Sequence, residues 1–250
     1  MSDSAGKGDS YESRARYSRP EVFSQYDRKR FTTHGGRLFD RMEKDVLQAA
    51  VPADQSVRIL ECGTGTGRFA AELGRLGYHL TATDVSPGML QQTRERIEHE
   101  GLADRVTVRE GDIYKLDFPD GSFDFVYTIR VLNQLASNAD KLRAIREMHR
   151  VLSPGGLLLF DVVNRHSLAS LRNRSWHISP AEVCHTLAEL GMELVWVKGR
   201  LILTQTLLEK LPPVLADGLA WLDGWLCRMA PRLATRVYFL ARKGGGRGGA

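Results

Sequence analysis

Apolar residues return along this chain at two periods. Short runs such as Val57–Leu60, Phe123–Thr128 and Leu157–Phe160 have the form of buried strands, and the stretches between them repeat every three to four residues, as helices do. The pattern predicts strands near 57–61, 79–84, 105–109, 123–128, 156–163, 192–204 and 235–243. It predicts helices near 67–77, 87–100, 138–152, 180–190 and 207–230. Alternation of strand and helix implies an α/β fold with a mainly parallel sheet, wound with helices on both faces. Ahead of it, residues 21–50 form amphipathic helices carrying Val22, Phe23 and Tyr26, then Leu38, Phe39, Met42, Val46 and Leu47. A break at Thr32–Gly36 splits them. In the last helical stretch Leu215, Leu219, Leu222, Leu226 and Met229 share a helical strip, beside Trp221 and Trp225. Such a strip predicts a core-facing helix.

Between the first strand and its helix stands Glu61-Cys62-Gly63-Thr64-Gly65-Thr66-Gly67. Glycines let the backbone turn sharply and lie against a ligand, because no Cβ intervenes. The helix that follows offers unpaired N–H groups at its start. Asp84, closing the next strand, has the chemistry to accept from two ribose hydroxyls. The loop is thus the footprint of a nucleoside-type cofactor. Taken from Gly65 through Gly67 to Ala70, with Asp84 beyond, it also satisfies the dinucleotide fingerprint. The loop alone therefore leaves a nicotinamide cofactor open.

Further motifs narrow the choice. The acid and G-x-G-x-G at Glu61, Gly63, Gly65 and Gly67 are followed by Thr83-Asp84-Val85-Ser86, by Gly111-Asp112-Ile113, and by a fourth strand running into Ile129. A helix, Pro154-Gly155-Gly156 and a strand complete the series. In this order and spacing, residues 55–163 resemble the class I S-adenosylmethionine-dependent methyltransferases. The resemblance implies a Rossmann-like, doubly wound seven-stranded sheet with its last strand antiparallel. It also implies an N-terminal helical lid over residues 21–50, while the helical pattern of this chain adds an insert over 205–231 before the final strand. Residues 21–243 would be one methyltransferase domain, with a disordered tail at 1–20 and a flexible one at 244–250.

The cofactor implied is S-adenosylmethionine, held by Tyr26, Glu61, Gly63, Thr64, Gly65, Asp84, Val85, Asp112, Ile113 and Ile129. Glu61 would serve the cationic methionyl end, Asp84 the ribose, Asp112 the adenine amino group and the Ile113 N–H a ring nitrogen. Ile129 would lie beside the methionyl portion. Asp84 and Asp112 also have plainer readings, as a helix cap and a turn residue. Asn133 and Gln134, after the fourth strand, are candidate acceptor contacts. His166 and His34 are candidate bases, but a lone loop histidine is more often simply solvated. No catalytic residue is assigned.

Size and charge fit one large α/β domain: 250 residues, 42% hydrophobic, net charge +5. From Arg228 onward six Lys/Arg stand without an acid. One Arg-Gly-Gly without interleaved aromatics gives no nucleic-acid module. Cys62, Cys184 and Cys227 show neither disulfide nor zinc spacing, so a reducing, cytoplasmic setting and no metal are expected. No secretory signal or membrane-spanning run appears in the sequence. Contact of 213–230 with a membrane surface is conceivable but disfavoured by Asp217 and Asp223. A small-molecule acceptor remains, apolar or aromatic, methylated at O, N or C. The alternatives are a non-catalytic cofactor-binding or partner-binding protein on the same fold, or an NAD-dependent oxidoreductase.

Overall fold

One sheet carries the molecule: β1 (Ile59–Cys62), β2 (Leu80–Asp84), β3 (Val106–Glu110), β4 (Phe123–Thr128), β5 (Leu152–Val163), β6 (Met192–Arg200) and β7 (Arg236–Lys243). The computed structural model describes residues 25–167, 177–200, 211–229 and 233–245, with Arg19 and Glu21. The tail at 1–20 apart from Arg19, the tail beyond 245, and the strand and helix ends assigned to 201–210 lie outside the described residues. Across the sheet the order is β3-β2-β1-β4-β5-β7-β6. β1 pairs in parallel with β2 and β4, and β4 with β5, whereas β7 runs antiparallel between β5 and β6.

The helices are α1 (Tyr26–Phe31), α2 (His34–Gln48), α3 (Arg68–Arg75), α4 (Pro87–His99), α5 (Asn138–Val151), α6 (Pro180–Glu189) and α7 (Pro213–Met229). Successive strand residues point to opposite faces, and both faces are covered. Leu60, Val126 and Phe239 share one apolar cluster with Ile145 and Met148 of α5. Ile59, Phe125 and Leu240 share the other with Leu47 of α2 and Phe69 of α3. Covered on both faces, β1 is buried at all four of its residues, Glu61 included.

Three details depart from the sequence reading. The break between α1 and α2 is narrower than Thr32–Gly36. Thr33 caps α2, its hydroxyl accepting from the Gly36 N–H at 3.0 Å, so both glycines lie inside the helix. A Cβ on Gly36 would collide with the Arg30 carbonyl oxygen, so glycine is what lets α1 fold back closely. Pro154-Gly155-Gly156 is no separate turn, because β5 already begins at Leu152. The pairing with β4 jumps from Phe123↔Leu152 to Phe125↔Leu157, and the glycines are absorbed in that irregularity.

The third departure is α7. Its buried face is Ala216, Asp223 and Cys227, small residues that permit close approach to β6 and α2. Leu215, Leu222 and Met229 of the predicted core strip are exposed, as are Trp221 (73%) and Trp225 (50%). Only Leu219 of that strip joins a cluster, against Phe39 and Met42 of α2. Helical spacing identified a strip correctly but not which side the tertiary contacts would cover.

Candidate functional site

Parallel packing brings the carboxyl ends of β1, β2 and β4 to one edge, and the glycine loop forms there. Gly63, Gly65 and Gly67 all adopt positive φ (75°, 60° and 75°), which side-chain-bearing residues rarely hold. A Cβ on Gly63 would strike Val131, while one on Gly65 would meet no protein atom within 4 Å. The first glycine is needed for packing; the second leaves a face open on the cavity it lines. The Gly63 and Thr64 N–H groups both donate to the Thr83 carbonyl at 2.8 Å, tying the loop to β2. Cys62 is the last residue of β1, buried in the core, and burial pushes its thiol well above the usual range. It is no nucleophile.

The loop opens on a concave cavity at this edge of the sheet. Of the ten residues assigned from sequence, nine line it: Tyr26, Gly63, Thr64, Gly65, Asp84, Val85, Asp112, Ile113 and Ile129. Glu61 is only 2% exposed and lies outside the lining. Its Oε2 accepts from the Thr64 hydroxyl at 2.9 Å, so Thr64 stands between it and the cavity. Burial pushes the Glu61 carboxyl up to about 7; the Thr64 hydroxyl and Arg68 oppose this and Asp84 adds to it.

Asp84 holds the loop from below. Its Oδ2 accepts from the Gly65 N–H and its Oδ1 from the Ser86 N–H, both at 2.9 Å. Each oxygen keeps a further lone pair. Burial raises its carboxyl, and these backbone N–H groups pull it back down. Capping α4 falls instead to Ser86, whose Oγ accepts from Met89 N–H with Pro87 in the first turn. Asp112 combines its two readings: Oδ1 accepts from the Tyr114 N–H at 2.9 Å as in an Asx turn, and the residue also lines the cavity.

The helices before β1 close over this edge through charges that pattern reasoning missed. Thr66 donates to Asp27 at 2.7 Å, and Asp27 pairs with Arg96 of α4. Arg68 lies between the rings of Phe31 (4.4 Å) and Phe69 (3.8 Å) and pairs with Asp40 and Glu43 of α2. Burial alone would lower its guanidinium, but those two carboxylates outweigh it and the shift is upward. One signal was available: Arg68 is a cation in the first turn of a helix, where the dipole disfavours it. Such a placement asks for acidic partners from elsewhere.

Other candidates fall away from the cavity. His34 bonds Asp217 of α7 at 3.1 Å, and His166 is an exposed loop residue. Neither lines the site. Asn133 is spent on structure, donating to Asp161 and accepting from the Val163 N–H, whereas Gln134 does line the cavity. Trp221 and Trp225 border a separate surface groove with Met42 and Arg228. Helix α7 touches α2 instead.

A glycine loop, a ribose-competent acid at the end of β2 and a sheet with antiparallel β7 inserted between β5 and β6 have the form of a nucleoside-cofactor site of the methyltransferase type. Residues 60–160 match the family model described as a methyltransferase domain. The chain is 37% identical over 125 residues to an uncharacterized methyltransferase, YodH, of Bacillus subtilis, covering 50% of this chain and 49% of that protein. It is 35% identical over 179 residues to the ubiquinone/menaquinone biosynthesis C-methyltransferase UbiE of Vibrio parahaemolyticus, covering 70% and 64%. A solved S-adenosylmethionine-dependent methyltransferase from Thermotoga maritima superposes with a TM-score of 0.62 at 21% identity, covering 90% of this chain and 98% of that one. Residues 60–160 are thus a methyltransferase domain of the class I, S-adenosylmethionine-dependent type. The chain spans about half the length of the curated relatives it matches. The dinucleotide reading of Gly65, Gly67 and Ala70 gives way, since that fold orders its strands 3-2-1-4-5-6 without an inserted antiparallel strand.

Proposed function

We propose that the protein transfers a methyl group from S-adenosylmethionine to a small-molecule acceptor by in-line displacement. The observation that carries this is the meeting of the Gly63–Gly65 loop, Asp84 and Asp112 on one cavity, with Glu61 buried behind Thr64. A carboxylate already bonded to the Gly65 N–H disfavours a pyrophosphate against this loop. When bound, the cofactor supplies a methyl already activated by its sulfonium. The chain's part is then positioning. Asp84 takes the ribose hydroxyls on its spare lone pairs, and Asp112 with Ile113 takes the adenine edge. Gly63 and Gly65 admit the methionyl portion, and the charge of Glu61 reaches its ammonium through Thr64. The acceptor enters beside Ile129, Val131 and Leu135, whose apolar side chains exclude water. The three cysteines stand as thiols, which favours a reducing compartment.

Calorimetry with S-adenosylhomocysteine and with NADH tests the reading. The first is expected to bind and to weaken about tenfold or more in Asp112→Ala, the loss of one hydrogen bond to a charged group; the second is expected not to bind. Transfer of radiolabelled methyl to a broad acceptor panel must follow. Tight binding with no transfer to any acceptor would instead favour a non-catalytic cofactor-binding protein.

A pH dependence follows from Glu61. An acid raised from 4.5 to about 7 is protonated at pH 6 and ionised at pH 8. Attraction of a cationic ligand is therefore present above about 7 and lost as pH falls through it. The dissociation constant for S-adenosylmethionine is expected to rise up to about tenfold between pH 8 and pH 6, and Glu61→Gln to flatten that profile. Without ligand the sign reverses: the folded state loses stability as pH climbs from 4.5 towards 7. A flat binding profile in the unaltered protein would remove Glu61 from this role.

A further inference from the structure

Arg130 follows Ile129 on the loop out of β4, and it is the one described non-glycine residue with a left-handed backbone, φ 69°. Such strain persists only where the surroundings over-determine it, and ligand clamps are among the places where it collects. Here the surroundings are plain. The Arg130 N–H donates to Asp161 Oδ1 at 2.6 Å. The Asn133 side-chain amide donates to Asp161 Oδ2 at 3.2 Å, and its oxygen accepts from the Val163 N–H at 2.7 Å. Strand β5 thus pins the loop in the shape that makes Arg130 part of the cavity wall.

The guanidinium lies over the Phe39 ring at 4.9 Å. Its Nη1 is buried and has no hydrogen-bond partner among the described residues. Glu43 Oε1 stands 3.7 Å from it, beyond hydrogen-bond reach, and Arg68 already holds the other oxygen of Glu43. Asp161 is paired with Arg236. Arg30, stacked on the Tyr26 ring at 4.5 Å, adds a second positive charge nearby. Burial holds the Arg130 guanidinium below its usual range, with Glu43 opposing and Arg236 and Arg30 reinforcing the shift. A cation kept out of water without a hydrogen-bonded partner is costly, and this one borders the apolar side chains of Val131 and Leu135.

We propose, on the methyltransferase reading above, that Arg130 recognises an anionic group on the acceptor, which is an apolar or aromatic carboxylic acid. The planar fork of arginine matches a carboxylate. Glu43 so close by disfavours a doubly charged phosphate and leaves a single negative charge as the better match. Arg130 on this view sets which acceptors enter; it takes no part in the displacement itself.

The test uses the full chain loaded with S-adenosylhomocysteine, and two matched pairs of probes: 4-hydroxybenzoate against 4-hydroxybenzamide, and octanoate against octanamide. Ligand-observed NMR titration is expected to show each acid binding about tenfold tighter than its neutral partner, the scale of one charge-assisted contact. Arg130→Gln is expected to abolish that preference and Arg130→Lys to keep part of it, with melting temperatures recorded for both. Equal binding of acid and amide to the unaltered protein overturns the inference, as does a preference that survives in Arg130→Gln. So does a loss in Arg130→Gln of affinity for S-adenosylhomocysteine but not for 5′-methylthioadenosine, which would assign Arg130 to the cofactor's own carboxylate. Failure of S-adenosylhomocysteine to bind the unaltered protein is a different result: it removes the methyltransferase reading itself.

Discussion

Asp84→Ala is expected to weaken S-adenosylhomocysteine binding by about 100-fold or more. Two ribose hydroxyls would each lose a charged acceptor, and such bonds contribute roughly 1.5–3 kcal/mol apiece. The loop suffers as well, because Gly65 and Ser86 both donate to this carboxylate. Asp84→Asn separates charge from geometry. Its single carbonyl oxygen serves only one of those two N–H groups, and its amino group must face the other. The asparagine variant is therefore expected to bind nearly as poorly as alanine. Folding should suffer less than binding, since burial already disfavours the charged carboxyl. Isothermal calorimetry decides the matter: a dissociation constant within threefold of the unaltered protein in both variants would take Asp84 out of the cofactor site.

The second large effect is on stability. Arg68→Met leaves Glu43, 1% exposed, without its hydrogen-bonded cation. Breaking one partner of a buried pair costs about 3–5 kcal/mol, mainly because the remaining charge stays desolvated. For a chain of this size that corresponds to a melting temperature lower by roughly 10 °C. Asp40 contributes less to the loss, being partly hydrated and still paired with Lys44 at 2.9 Å. Adding Glu43→Gln removes the stranded charge, so the double variant is expected to recover part of the loss. Losses in the two single variants that simply add in the double would show that Arg68 and Glu43 act independently.

Much of the cofactor edge was legible because its determinants are local. A glycine at positive φ, an acid closing a strand and a serine before a proline-led helix each show themselves within a few residues. Hence the assigned loop, Asp84, Asp112 and Ile129 come together on one cavity. Helices α1 and α2 were legible only as amphipathic stretches. Their ties to the glycine loop and α3, Asp27 to Thr66 and Glu43 to Arg68, join residues 39 and 25 positions apart. No spacing rule reaches that far.

Sequence pattern determined the alternation of strand and helix, the parallel core of the sheet and the acids at its edge, because periodicity and turn chemistry act over short distances. Only tertiary packing decided which side of α7 is covered, that His34 and His166 stand away from the cavity, and that Arg130 stands in its wall. Those outcomes depend on which surfaces meet across the sheet, and the energy of meeting belongs to neither segment alone.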